Sequence, residues 1–357
     1  MSRRLIRGAA ALFALALVAG ACSSDDGDDE EGSGGDGSGS GITACQVTDT
    51  GGVDDRSFNQ TANDGLKKAE DELGVEGKVL ESQSEADFEP NLKAFVDQGC
   101  DLIIPVGFLL DGAAQASAQE NPDQKYSIVD VDFFDPDAGE DISYDNVEEL
   151  TFATDEAAFL AGYLAAGTSE SGKVGTFGGI NIPTVTIFMD GFLAGVQQYN
   201  ADNETEVEVL GWDGSDGQFT GDFEDQDKGK QLTKSLIDEG ADIVMPVAGP
   251  VGLGSVAAAK EADGVKIIWV DTDGCISVAD DCDIFLTSVQ KKMDVAVFDS
   301  IKSVVDDNFE AGVYKGTLEN EGVGIPELGS DVPSELADKI EEYRKAIIDG
   351  SQSVSPS

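Results

Sequence analysis

Gly99-Cys100-Asp101-Leu102-Ile103-Ile104-Pro105-Val106 and Gly240-Ala241-Asp242-Ile243-Val244-Met245-Pro246-Val247 are one phrase written twice, 141 positions apart. The correspondence runs on without a gap. Ala116, Ala118 and Glu120 answer Ala257, Ala259 and Glu261, and each copy closes on Val-Asp-X-Asp, at Val129–Asp132 and Val270–Asp273. Eleven of the 34 paired positions are identical. So long a period is not that of a short-repeat solenoid. It implies two similar strand–helix–strand units, hence two like lobes, and a cleft between lobes is where small ligands bind.

Outward from these phrases the same rhythm continues. Strands are expected over Ile42–Thr48, Lys78–Glu81, Leu102–Val106 and Tyr126–Val131, with helices over Thr61–Leu73, Phe88–Gln98 and Asp111–Glu120 between them. The second half repeats the alternation. Its helices are Glu156–Ala166, Val185–Tyr199, Lys228–Glu239 and Leu253–Ala262, and its strands Lys173–Phe177, Val207–Gly211, Ile243–Val247 and Lys266–Val270. Such alternation predicts an α/β fold of two doubly wound parallel sheets covered by helices and joined by a hinge. Lobe 1 is assigned 42–153 plus about 290–330, lobe 2 is 154–289, and 331–357 is a C-terminal helix and tail. Ligands of such sheets sit outside the carboxyl ends of the strands. That directs attention to the loops after Thr48, Val106, Phe177, Val247 and Val270.

The first residues belong to neither lobe. A basic stretch, Ser2 to Arg7, is followed by an apolar run, Ala9 to Ala19, and by Ala19-Gly20-Ala21-Cys22. This has the form of a secretory signal over 1–21, and Cys22 stands where a bacterial lipoprotein carries its lipid. Ser23 to Gly41 contains only Ser, Gly, Asp and Glu, which makes 22–41 a hydrated acidic tether. The expected location is the outer face of the cell membrane, held by that lipid, the protein itself a monomer.

A net charge of −49 disfavours nucleic acid, whose binding depends on Lys and Arg at phosphates. The chain has no histidine, so a Ser-His-Asp triad is excluded. The loops at 135–139 and 213–217 lack the alternating acids and terminal Glu of a calcium loop, and no metal or other cofactor is implied. Outside the cytoplasm the four cysteines after Cys22 are expected to pair. Cys275 and Cys282 bracket a short loop, and Cys45 and Cys100 each begin a strand. The favoured pairing is therefore Cys45–Cys100 with Cys275–Cys282, among the three that four cysteines allow.

The loop after the first strand, Asp49-Thr50-Gly51-Gly52-Val53-Asp54-Asp55-Arg56-Ser57-Phe58-Asn59-Gln60, offers a strand-end carboxylate, a Gly-Gly turn and an aromatic ring at a helix start. Its simplest reading is a turn capped by Ser57, with Phe58 as a hydrophobic staple. The same loop resembles the signature of the basic membrane protein family, purine-nucleoside-receptor-like substrate-binding lipoproteins of ABC importers. The resemblance continues in order through Phe88-Glu89-Pro90, Ala158-Phe159-Leu160-Ala161-Gly162, Gly191-Phe192, Val247-Ala248-Gly249 and Leu286-Thr287-Ser288-Val289. It departs at Thr61-Ala62-Asn63-Asp64, where the family carries a Trp, and at Gly249-Pro250-Val251-Gly252, where its glycine loop differs.

What the resemblance implies is a two-lobed, type I periplasmic-binding-protein fold that closes on a nucleoside and delivers it to a permease and its ATPase. Asp49 and Asn59 would hydrogen-bond the base and Phe58 would stack on it, with Ser57, Phe108 and Gly249 alongside. Asp271 and Lys291, rather than Lys292, would hold the ribose hydroxyls. For the second aromatic face, Phe108, Phe177, Phe188 and Phe219 all remain open. Asp271 alone could equally be a strand-end turn residue, as its counterpart Asp130 is taken to be. A sugar or other polyol as ligand, or a sensor role for a membrane signalling protein, is the alternative; an enzyme is not expected.

Overall fold

The computed structural model describes residues 40–135, 139–329 and 332–356. The signal, Cys22 and nearly all of the tether lie outside the described residues. From Ser40 onward, β1 (Thr43–Thr48), α1 (Phe58–Leu73), β2 (Glu76–Leu80), α2 (Phe88–Gln98), β3 (Leu102–Val106), α3 (Asp111–Glu120) and β4 (Lys125–Val129) alternate strictly. A small antiparallel pair, β5 (Phe134–Asp135) with β6 (Glu140–Asp141), precedes β7 (Val147–Phe152). Then come α4 (Thr154–Thr168), β8 (Lys173–Gly178), α5 (Pro183–Asn203), β9 (Glu208–Leu210), α6 (Gln226–Asp238), β10 (Ile243–Val247), α7 (Gly252–Lys260) and β11 (Lys266–Asp271). The chain finishes with α8 (Gly274–Ser277), β12 (Phe285–Lys291), α9 (Met293–Val305), β13 (Gly312–Gly316), β14 (Val323–Gly324) and α10 (Ser334–Ile348).

The strands form two six-stranded sheets, ordered β2-β1-β3-β4-β7-β13 and β9-β8-β10-β11-β12-β14. The orders superimpose strand for strand, and only β14 runs antiparallel to its neighbour. The two phrases of the sequence are β3-α3-β4 and β10-α7-β11, equivalent places in the two lobes. β3 and β10 are buried along their whole length, which is why both read as continuous apolar runs rather than alternations. Each also carries a proline in mid-strand, which removes one ladder donor. The effect is the same in both copies. Pairing of β3 with β4 lapses between Ile103 and Val106, and that of β10 with β11 extends only over Ile243–Val244.

Glu148 and Glu149 hide β7 from a reading by hydropathy, because both acids are taken up inside the lobe. Glu148 accepts from the Ser127 hydroxyl at 3.1 Å, and Glu149, 2 % exposed, accepts from the Phe133 backbone N–H at 3.0 Å. Cys45 is bonded to Cys100, tying β1 to the start of β3, and Cys275 is bonded to Cys282.

Among the described residues the chain crosses between lobes three times: from β7 into α4, from β12 into α9, and from β13 into β14. The stretch 290–330 is therefore divided, α9 and β13 lying with the first sheet and Val323–Gly324 with the second. The crossing segments are bonded to one another. Ala153 N–H donates to Gly316 O at 2.8 Å, and Lys292 N–H to Gly322 O at 2.9 Å. A Cβ on Gly322 would fall 2.3 Å from the Gly316 Cα, so only glycine fits where the β13–β14 connection doubles back on itself. No helix among the described residues is long and apolar enough to cross a membrane.

Candidate functional site

In both sheets the order reverses direction between the first and third strands, and open α/β sheets bind ligands outside the carboxyl ends at that point. A cavity lies there, walled by the ends of β1, β3 and β4 on one side and β10, β11 and β12 on the other. Of the residues singled out in the sequence, Asp49, Phe58, Asn59, Phe108, Gly249, Asp271 and Lys291 line it.

Asp49 follows β1 directly, its N–H donating to Val106 O at 3.1 Å. Its carboxylate accepts from Asn59 Nδ2 at 2.9 Å, and the same Nδ2 also reaches Thr50 O at 3.2 Å. Both of those neighbours accept, so the amide nitrogen must face them and Asn59 Oδ1 must face away. That oxygen is buried with no hydrogen-bond partner. Burial pushes the Asp49 carboxyl up to about 8, against the Asn59 hydrogen bond, with Asp55, Asp130 and Asp271 adding to the rise. Gly107 gives Asp49 its room. Its φ is 111°, and a Cβ there would sit 2.3 Å from Asp49 Oδ2.

Ser57 does not cap α1 with its side chain, as the sequence suggested. Asp55 does: its two oxygens accept from the N–H groups of Ser57, Asn59 and Gln60 at 2.9, 2.8 and 3.0 Å. Burial nonetheless lifts Asp55 to about 6, the backbone donors opposing. The Ser57 hydroxyl instead reaches across the cleft, 2.7 Å from Asp271 Oδ2 and 3.2 Å from Val270 O. Ser57 thus stands behind the cavity wall rather than in it. Two neighbouring bonds also cross: Arg56 Nη1 donates to Ser277 O at 2.9 Å, and Trp269 Nε1 to Arg56 O at 3.3 Å. The lobes are closed on each other.

Asp271 ends β11 in the left-handed region, φ 70°, and is 6 % exposed. Burial raises its carboxyl, while Lys291 and Ser57 oppose the rise. Asp130 is its twin at the end of β4, φ 65°. The sequence reading used Asp130 as an example of a strand-end acid with no business at the site. The structure puts it in the cavity wall, 2.5 Å from Lys291 Nζ. Lys291 is 2 % exposed and also lies 5.0 Å above the Phe188 ring and 5.4 Å above that of Phe58. Lys292 spends its backbone N–H on the hinge and does not line the cavity.

Of the aromatic candidates, Phe108 and Phe188 are in the wall, and Phe223 joins them unforeseen. Phe177 lies in the core of the second lobe, and Phe219 packs edge-on against Trp212 at 6.1 Å. Phe223 gave no signal, sitting in an acidic loop. Asp130 did: the internal repeat alone equates it with Asp271. Among the described residues lining the cavity, Lys291 is the only cation beside four aspartates, Asp49, Asp55, Asp130 and Asp271. No group of His, Cys, Asp and Glu suited to a metal ion occurs among the described residues.

Twin lobes on a three-strand hinge, closed over a cavity that holds donors, acceptors and rings, define a solute-binding protein. Residues 42–356 match the family model of Bmp, the PnrA-like ABC transporter substrate-binding proteins. The chain belongs to that family, a family of binding proteins and not of enzymes. It is 34 % identical over 359 residues to a CD4+ T-cell-stimulating antigen of Listeria innocua, covering 95 % of this chain and 94 % of that one. It is 33 % identical over 374 residues to the ABC transporter nucleoside-binding protein BmpA of Lactococcus lactis, covering 99 % of each. Among solved structures, an ABC transporter solute-binding protein of Aeropyrum pernix matches with a TM-score of 0.78 at 29 % identity, over 88 % of this chain and 94 % of that chain.

Proposed function

We propose that this chain is an extracytoplasmic lipoprotein, anchored through Cys22, that captures a purine nucleoside in the interlobe cavity and delivers it to an ABC permease and its ATPase. The observation that carries the ligand class is the pairing of Asp49 with Asn59, whose buried Oδ1 lacks a partner, beside the Phe58 ring. A base supplies N–H groups for such acceptors and a face for the ring. At the other end, Asp271 accepts from vicinal ribose hydroxyls and Lys291 donates to them. The name of the Lactococcus lactis relative agrees with this reading.

Charge disfavours phosphorylated nucleosides. Four aspartates and one lysine, itself bonded to Asp130, leave no donor set for a phosphate in a closed, poorly solvated site. The test is calorimetry on the purified chain against nucleosides, nucleobases, nucleotides and sugars. Binding of nucleosides alone, lost in Asp271→Ala, is the expected result. A response to sugars and not to nucleosides would keep the fold and overturn the ligand.

A further inference from the structure

Ile276 is 76 % exposed, more than any other large apolar side chain among the described residues. A single apolar side chain at a surface needs no explanation by itself. This one is held in place on both sides. The Ile276 N–H donates to Asp273 O at 2.9 Å, Gly274 N–H donates to Ser288 Oγ at 3.0 Å, and the Cys275–Cys282 bond closes the loop that carries it. Gly274 seats α8 so closely that a Cβ there would meet Trp269 Cβ at 2.9 Å. Ile276 is thus presented in a fixed position, and little loop ordering is left for a partner to impose.

Its place is at the seam between the lobes. The next residue, Ser277, accepts at its carbonyl from Arg56 Nη1 of the first lobe at 2.9 Å, and Trp269, on which Gly274 packs, donates to Arg56 O at 3.3 Å. Arg56 and Ile276 are both exposed, so closure joins a side chain of each lobe into one outer surface. Asp54, two residues before Arg56, and Asp280 and Asp283, in and just after the stapled loop, are exposed as well. An apolar tip inside a charged rim is how protein–protein contacts are built. We propose, resting on the importer reading above, that Arg56 and Ile276 form the surface by which the ABC permease recognises the closed protein, with an apolar pocket for Ile276 edged by Lys and Arg. Charge selects this occupant. A second copy would bring the same aspartates and a net charge of −49, and an anionic lipid surface would be repelled likewise. Opening the cleft breaks the Arg56 bonds and parts the two halves of the surface, so a partner fitted to both prefers the filled form.

The experiment places a photoreactive amino acid at 276 of the full chain in its own cells, with a control at 313 on the edge strand β13, where Val313 is 60 % exposed. Position 276 should cross-link to a protein that mass spectrometry identifies as the membrane-spanning subunit of an ABC importer, and position 313 should not. In parallel, Ile276→Ser should keep the wild-type Tm and the wild-type Kd for guanosine, while uptake of labelled guanosine by the cells falls about tenfold or more. Ile276→Leu should restore uptake. Adducts with a second copy of this chain, adducts with the permease from both positions alike, or no protein adduct from 276 would overturn the proposal. So would unchanged uptake in Ile276→Ser, or a weakened Kd there, because Ile276 would then act on closure itself. Silence of the wild-type protein towards every nucleoside is a distinct result: it would remove the ligand reading, and the cross-links would still decide the surface.

Discussion

Replace Arg56 by alanine, and the affinity of this protein should fall without a single ligand contact being touched. Arg56 does not line the cavity. Its guanidinium donates to Ser277 O at 2.9 Å, from the loop before α1 in the first lobe to the end of α8 in the second. The bond exists only when the lobes are shut, so its free energy belongs to the closing equilibrium. A hydrogen bond from a charged donor contributes about 1.5–3 kcal/mol when well buried. Arg56 is exposed, which brings the figure to about 1 kcal/mol. With RT near 0.6 kcal/mol, the ratio of closed to open should fall about fivefold, and the apparent Kd should rise by the same factor. Ser57→Ala should be worse. It strips a donor from a buried carboxylate, Asp271, at a cost of about 1–3 kcal/mol, or roughly five- to 150-fold. Calorimetry of both variants gives Kd. Wild-type affinity in Arg56→Ala would refute the reasoning.

Three further outcomes are expected. Gly107→Ala should abolish binding and lower Tm, since its Cβ would meet Asp49 Oδ2 at 2.3 Å on a backbone of φ 111° that side chains rarely adopt; calorimetry and thermal melting check both. Removing Cys45–Cys100, which closes a separation of 55 residues, should destabilise by about 4 kcal/mol, whereas removing Cys275–Cys282, which closes 7, should cost about 2.5 kcal/mol; denaturant titration of the Ser pairs gives the order. Asp49 and Asp55 sit above their ordinary value, at about 8 and about 6, so the folded state binds more protons than the unfolded one between pH 4 and 8. Stability then falls as pH rises through that window, and Tm of the ligand-free protein should decline from pH 5 to pH 8, less steeply in Asp49→Asn.

Much of this architecture is legible in the chain because burial wrote it there. β3 and β10 lie inside their sheets, so every residue from Leu102 to Val106 and from Ile243 to Val247 is apolar, and the repeat stands out. β7 does not, because its acids find partners that hydropathy cannot see. At the site, the carboxyl-edge rule pointed to the loops after Thr48 and Val270, and the family resemblance singled out Asp49 and Asp271 within them. Local rules misjudged Ser57, whose place before a helix suggested a cap. Tertiary structure sent its hydroxyl to the far lobe and left the capping to Asp55. Phe223 was invisible for a related reason: its loop meets the cavity only once α5 and α6 have packed.

The hinge has a consequence for how the protein can be read by a partner. Two connections between bodies permit twisting as well as bending, but three side by side, bonded at Ala153–Gly316 and Lys292–Gly322, leave a single axis of easy rotation. The relative position of the lobes then reduces to one coordinate. A membrane protein touching one point on each lobe needs to sense only the distance between those points to know whether the cleft is filled. Occupancy is converted at the hinge into a length, and any ligand that permits full closure sends the same message.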